Sequence, residues 1–348
     1  MYCSDMQDNR FIYIDLLRGI AILFIVFGHI PMFCYGDGAS HLPSFRAFTS
    51  MVQLPIFFFV SGFVCNTEKM LIGGGKTLVN KFRQLIMPAL FWGGLYMILN
   101  EISIFTAITD KFKSGYWFTF LLFEFILLQF GVEYLARHFR IKNEARLYTL
   151  WLVSMAVVMY GISLPSVADL FGYAGGVLGL PLFRYYLYFV CGILLRRNML
   201  YLTSHKYKDV FVSLCMTLLL ELAAANWVLD IQFSGMFFHL NMVVFELTAL
   251  LALFVAFYKN RMRFSNENSV VKALGFIGRR TLDIYMLHYF FLPKDLHLFG
   301  TFFSTHDAPV VECAFSGVLT ILIVAVCIAV GEFIRQGGFL PKYILGTK

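Results

Sequence analysis

Residues 318–330 read VLTILIVAVCIAV, a run without charge and without polar alternation. A strand of an outer-membrane barrel alternates apolar and polar side chains over about ten residues, and this run does not. It lies inside a longer apolar stretch, 309–334, which exceeds the roughly 20 residues that a helix needs to cross a hydrocarbon core. With a barrel excluded, helices are the only remaining element that can satisfy its own backbone in lipid. The rest of the chain has the same character. Of 348 residues 59% are hydrophobic and only 14% charged, with 40 Phe against 4 Trp, which excludes a soluble globular domain. Apolar runs at about 13–35, 47–65, 85–106, 116–136, 147–163, 178–195, 209–228, 239–258, 279–299 and 309–334 predict an all-α polytopic membrane protein of ten transmembrane helices.

The formal net charge of +7 invites a nucleic-acid reading, but the positions of the cations argue otherwise. When the connecting segments are assigned alternately to two sides, 22 of the 28 Lys and Arg fall on one side. Only Arg46, Lys111, Lys113 and Lys294 fall on the other, and Arg18 and Arg184 lie inside spans. Cytoplasmic loops retain Lys and Arg, so both termini are expected in the cytoplasm. The excess charge is a topology signal and an attraction to anionic membrane lipids, with no nucleic-acid partner expected. Residues 1–12 form a cytoplasmic segment, 13–334 one membrane domain and 335–348 a cytoplasmic tail. Asp15 and Arg18 interrupt the first apolar run, which lacks a small-residue cleavage site, so it is expected to remain as a helix rather than be removed as a leader.

Several apparent motifs carry no chemistry. The seven cysteines contain no C-x-x-C pair and read as small buried hydrophobes. The segment 73-GGGKT-77 resembles the end of a phosphate-binding loop, but Met70 occupies the required upstream glycine position and no strand precedes it. A flexible cytoplasmic turn is expected there. His205, His239, His297 and His306 are dispersed, so no metal site is expected.

Ionisable residues inside spans are expensive and mark function by default. The first span, 10-RFIYIDLLRGIAILFIVFGHI-30, is the most informative. Arg18 and His29 lie eleven residues apart, which at 100° per residue returns to within about 20° of the same direction, with an axial separation of roughly 16 Å. One reading places a phosphate-gripping guanidinium and a titratable imidazole along one polar passage. The other pairs Arg18 with Asp15 one turn below and lets His29 bond a neighbouring helix. Glu124, two turns beyond Trp117, is a candidate to orient His29 or to contact a substrate. Ser61, beside Gly62, is either an oxyanion donor or a small packing residue. Arg184, Glu221 and Glu246 are candidates for ion pairs within the helix bundle.

These residues resemble a known family. The run D-L-L-R-G-I-A-I-L-F-I-V-F-G-H, containing Arg18 and His29, is similar to the opening signature of the acyltransferase family three membrane proteins, the bacterial inner-membrane O-acyltransferases. Further marks follow in order: F-F-F-V-S-G-F at 57–63, K-F-R-Q-L-I-M-P-A-L-F-W at 81–92, Y-W-F-T-F-L-L-F at 116–123, F-V-C-G-I-L-L-R-R at 189–197 and G-R-R-T-L-D-I-Y-M-L-H at 278–288. The resemblance implies transfer of an acetyl or other short acyl group from cytosolic acetyl-CoA to a sugar hydroxyl of a cell-surface glycan or its lipid-linked precursor. It implies His29 as general base, His288 and Glu124 as further catalytic candidates, and Arg18, Lys81, Arg83 and Arg279 as the cations that meet the donor. One departure stands out: the family often carries two arginines three apart after the second span, where this chain has Lys81 and Arg83. The acyl group either reaches the acceptor directly or passes through a partner protein, and a homo-oligomer is left open. The rival reading from another class is a proton-coupled carrier of small solutes or acyl groups, although no duplicated halves are visible.

Overall fold

The computed structural model describes residues 11–36, 43–199, 213–221, 235–264, 268–306, 308–338 and 341–346, with side chains described outside 43–51 and 236. Among these residues the structure is all helical. In chain order the helices are α1 (Ile12–Phe33), α2 (Pro43–Val64), α3 (Thr67–Leu99), α4 (Ile104–Thr109), α5 (Trp117–His138), α6 (Ala145–Ser163), α7 (Pro165–Ala168), α8 (Gly172–Val177) and α9 (Tyr186–Arg197). They continue as α10 (213–221), α11 (Gly235–Lys259), α12 (Ser269–Arg279), α13 (Thr281–Phe291), α14 (His297–His306), α15 (Pro309–Arg335) and α16 (Pro341–Ile344).

Six helices among the described residues are long and apolar enough to cross a bilayer: α1, α3, α5, α6, most of α11, and α15. Their burial pattern is that of lipid-facing elements. In α15, Ile323, Val324 and Cys327 are buried while Val318, Ile321, Leu322 and Val326 are exposed, so its outward face is as apolar as its inward one. A multi-pass membrane protein follows from this.

The expected spans differ from the helices in instructive ways. The span at 178–195 belongs to a pair, Pro165–Val177 and Leu180–Arg197, bent by 102° at the break, and counting that pair raises the number to seven. The span at 279–299 is not one helix: α13 ends at Phe291, before Pro293, and α14 begins at His297. At 1.5 Å per residue α13 is about 16 Å long, half of a hydrocarbon core. Most of the stretch at 209–228 lies outside the described residues. The expected turn at 73-GGGKT-77 is instead part of α3, which Asn66 caps by accepting a hydrogen bond from the Lys69 amide at 3.0 Å. Gly74 breaks the helix there at φ 50°, a left-handed value that glycine adopts without strain.

The chain divides into two compact units, each assembled from separated stretches of sequence. The first contains Met1–Phe57, Tyr201–Thr281 and Leu292–Ala325. Within it α12 lies antiparallel against α1, because Gly19 sits on the Leu274 carbonyl and Gly278 on the Asp15 carbonyl, each so closely that a Cβ would overlap the oxygen. Small residues let helices approach at backbone distance, the main source of helix affinity where lipid removes the hydrophobic driving force. Just beyond the end of α1, Tyr35 is buried among Phe303 and Phe315 and shares a 2.6 Å hydrogen bond with Ser316.

The second unit contains Phe58–Leu200, Leu282–Phe291 and Val326–Lys348. The same device recurs here. Gly62 of α2 sits on the Phe189 carbonyl and Gly192 of α9 on the Phe59 carbonyl, again antiparallel. Two of the sequence marks, at 57–63 and 189–197, therefore describe one helix crossing. Around it Phe58 stacks on Tyr185 at 5.2 Å and contacts Phe118 and Phe125 of α5. Asp283 of α13 is bound by the Arg335 guanidinium at the end of α15, and Gly331 makes room for that carboxylate. Trp92 of α3 donates to the Ile344 carbonyl at 2.9 Å and so ties down α16.

Two glycines of α1 should respond oppositely to alanine. Gly278→Ala in α12 has a matching partner test in Gly28→Ala, because a Cβ at Gly28 meets nothing within 4 Å. We expect Gly278→Ala to destabilise by about 1–3 kcal/mol or more through overpacking, and Gly28→Ala to be neutral or stabilising by up to about 1 kcal/mol. Thermal unfolding of the detergent-purified variants measures both, and equal melting temperatures would remove the close-contact argument.

Candidate functional site

In the first unit the site is built on α1. Most of its residues are buried, while Arg18 and His29 are both partly exposed, as the eleven-residue spacing requires. Arg18 Nη1 lies 3.9 Å from the Asp15 carboxylate, with the arginine side chain 28% exposed and the aspartate 7%. At that distance the pair is an electrostatic contact rather than a tight fork, and part of the guanidinium remains accessible. The Asp15 backbone is also where Gly278 docks. Arg279 and Arg280 follow immediately, with their guanidinium carbons 5.7 and 5.4 Å from the Phe276 ring centre. The α1 and α12 contact thus brings Arg18 and the GRR segment to one end of the same helix pair. It joins the first and last sequence marks, which stand some 260 residues apart in the chain. His29 stands at the other end of α1, beside Gly28, with its ring edge-on to Phe33 at 5.5 Å.

The other candidates lie in the second unit, because the last mark is divided at Thr281 between the two. Lys81 and Arg83 occupy the interior of α3. Two residues along a helix point in different directions, and accordingly Lys81 is exposed whereas Arg83 is half-buried, donating to Asn80 Oδ1 at 3.1 Å. Arginines three apart would share a face; these two cannot. Ser61 is partly exposed next to Gly62, whose contact with the Phe189 carbonyl makes packing the evident task of that S-G pair.

His288 is fully buried in α13. Its Nδ1 lies 3.1 and 2.9 Å from the Ile284 and Tyr285 carbonyls and donates to them, and its ring sits 4.1 Å from that of Tyr289. It belongs to a tyrosine cluster in which Tyr116 donates to the Met286 carbonyl at 3.1 Å and Tyr285 to the Gly115 carbonyl at 2.8 Å. Gly115 has φ 99° and no side chain because the Tyr289 ring covers it. Arg184, expected as an ion-pair candidate, instead lies over the Tyr185 ring at 4.8 Å and donates to its hydroxyl at 2.9 Å. Glu221 is exposed at the end of α10, and Glu246 is buried in α11.

Glu124 sits two turns into α5. Its Oε2 is buried and accepts no hydrogen bond from the described residues. The nearby Lys113 is close enough to interact with it electrostatically, but its ammonium donates to the Ile108, Asp110 and Gly176 carbonyls at 2.7, 3.0 and 2.8 Å. Burial pulls the Lys113 pKa below the usual lysine range, with Glu124 and Asp110 opposing the shift.

One buried group was not anticipated. Glu133 of α5 is completely buried and accepts from Gln129 at 3.0 Å and from the Tyr148 hydroxyl, while Lys142 lies 3.3 Å from its other oxygen. Tyr186 closes the network by donating to Gln129 Oε1 at 2.7 Å. The signal was the four-residue spacing of Gln129 and Glu133 on one face of an otherwise apolar span, obscured by the basic helix end that follows. Beside this network burial pushes the Cys65 thiol up to about 11, with Lys81 and Arg196 opposing, so it carries no thiolate for nucleophilic attack at neutral pH.

Against known proteins, the model of a family described as an acyltransferase domain matches residues 11–332. The chain belongs to this acyltransferase family. Among curated proteins it is similar to nodulation protein NolL of Mesorhizobium japonicum, 23% identical over 169 residues, covering 45% of this chain and 42% of that protein. It is also similar to nodulation protein NolL of Sinorhizobium fredii, 25% identical over 138 residues, covering 36% of this chain and 37% of that protein. The matched stretches therefore span less than half the length of either relative. No solved structure matches.

The Glu133 network makes a stability prediction. Lys142→Met leaves a buried carboxylate without its cation and should cost about 3 kcal/mol or more, whereas Lys142→Met combined with Glu133→Gln should recover a large part of that loss. A double-mutant cycle on thermal unfolding reads it; additive effects would mean that the two residues act independently.

Proposed function

We propose that this acyltransferase moves an acetyl or other short acyl group from cytosolic acyl-CoA to a sugar hydroxyl of a cell-surface glycan or its lipid-linked precursor. We place it in a bacterial inner membrane with ten spans and both termini in the cytoplasm, as the Lys and Arg distribution favours. The observation that carries the reading is the arrangement on α1, with cations gathered at one end by the α12 contact and an imidazole on the same stripe eleven residues on.

The division of labour follows from side-chain chemistry. Arg18, with Arg279 beside the same contact, offers permanent charge and planar donors to the phosphates of the donor. Lys81, exposed on α3, suits the same polyanion better than half-buried Arg83. His29 accepts the proton of the acceptor hydroxyl as that oxygen attacks the thioester carbonyl. The C–O bond forms, the C–S bond breaks, and coenzyme A leaves as its thiol once it has taken up the proton. We assign no acid or base role to His288, whose Nδ1 is engaged by its own helix, and treat Ser61 as a packing residue.

Purified protein supplied with radiolabelled acetyl-CoA tests this. Arg18→Ala should raise the donor KM about 10- to 100-fold with a smaller change in kcat, the scale of a lost charge-assisted contact. His29→Ala should instead lower kcat about 10²- to 10⁴-fold with KM nearly unchanged. Solute uptake coupled to protons without release of coenzyme A would replace the enzyme by a carrier.

A further inference from the structure

Glu124 poses a question of hydrogen-bond satisfaction. A buried carboxylate oxygen without a donor is costly, and Lys113, the cation near it, has no N–H left to give because all three are directed at carbonyls. The missing donor must come from outside the described residues. Glu124 shares its stripe of α5 with Trp117: seven residues bring the direction back to within about 20°, and about 10 Å separates them along the axis. Trp117 is partly exposed, stacked on Tyr185 at 5.9 Å and 30°, with exposed Phe112 edge-on at 6.3 Å. Tyr185 is in turn locked between Phe58 and the Arg184 guanidinium. The indole is thus a rigid aromatic platform backed by buried rings, one stripe away from an unsatisfied acceptor.

A saccharide matches that combination. A pyranose ring has apolar C–H faces that lie on an aromatic surface and a rim of hydroxyl donors, and a disaccharide covers the span between the two groups. We propose that Trp117 and Glu124 form the acceptor's carbohydrate subsite, the indole stacking on one sugar ring and the carboxylate accepting from a hydroxyl of the next. This rests on the acyltransferase reading above and assigns Glu124 to the acceptor rather than to His29.

The test is saturation-transfer NMR on the full chain in lipid nanodiscs, with maltose, cellobiose, lactose and chitobiose as probes, alongside calorimetric titration of acetyl-CoA. At least one disaccharide should show saturation of its ring C–H protons. That signal should fall about fivefold or more in both Trp117→Ala and Glu124→Gln, the scale of one hydrogen bond to a charged group. Acetyl-CoA affinity should stay within about twofold, inside ordinary surface-mutation effects. Trp117→Phe, which keeps a ring against Tyr185, should retain part of the signal and so separates loss of the platform from misfolding. No signal from any disaccharide with the parent protein, or a signal unchanged in both variants, overturns the subsite. Failure of the acyltransferase reading is distinct: labelled acetyl-CoA would not be consumed, whatever the sugar signal.

Discussion

Backbone-to-backbone contact at glycine holds each unit together where lipid removes the hydrophobic drive for helices to associate. Gly278 on the Asp15 carbonyl and Gly19 on that of Leu274 set the register of α12 against α1. That register decides which cations share an end with Arg18. Were the pair to slip by one turn, Arg279 would move about 5.4 Å along α1. The functional meaning of the GRR segment is therefore inseparable from a glycine that has no chemistry of its own. The crossing of α2 and α9 through Gly62 and Gly192 plays the same part in the second unit, where it seats the ring stack behind Trp117.

Buried ionisable groups sort into those already neutralised by the protein and those still open. Asp283 has Arg335, Glu133 has Gln129, Tyr148 and Lys142, and the His288 Nδ1 has two carbonyls. Each answers to the cost of burying a polar group, and each is satisfied locally. Glu124 Oε2 differs in that its neighbouring cation is committed elsewhere. The default that an intramembrane charge marks function is thus refined by asking which hydrogen bonds remain to be made.

Membership in the acyltransferase family rests on a match across residues 11–332, while the similar nodulation proteins overlap this chain over less than half of their length. The family and the geometry inform different questions. The first gives the class of reaction; the second indicates which of the shared marks carry chemistry and which are packing devices, as with the S-G pair at Ser61 and Gly62.

Much was legible in the chain itself because it depends on local properties. Uninterrupted apolar runs dictate helices in lipid, and the eleven-residue spacing places Arg18 and His29 on one partly exposed stripe, since a helix repeats regardless of what surrounds it. What depended on partners distant in sequence was not legible. The continuity of α3 through GGGKT, the end of α13 before Pro293 and the opposite faces of Lys81 and Arg83 are set by helix continuity rather than by hydropathy. The pairing of Arg279 with the Arg18 end, the enclosure of Glu133 and the orphaned oxygen of Glu124 arise only when separate helices meet. Composition cannot reveal them, because a hydrogen bond is made or left unmade by distances that exist only in the folded chain.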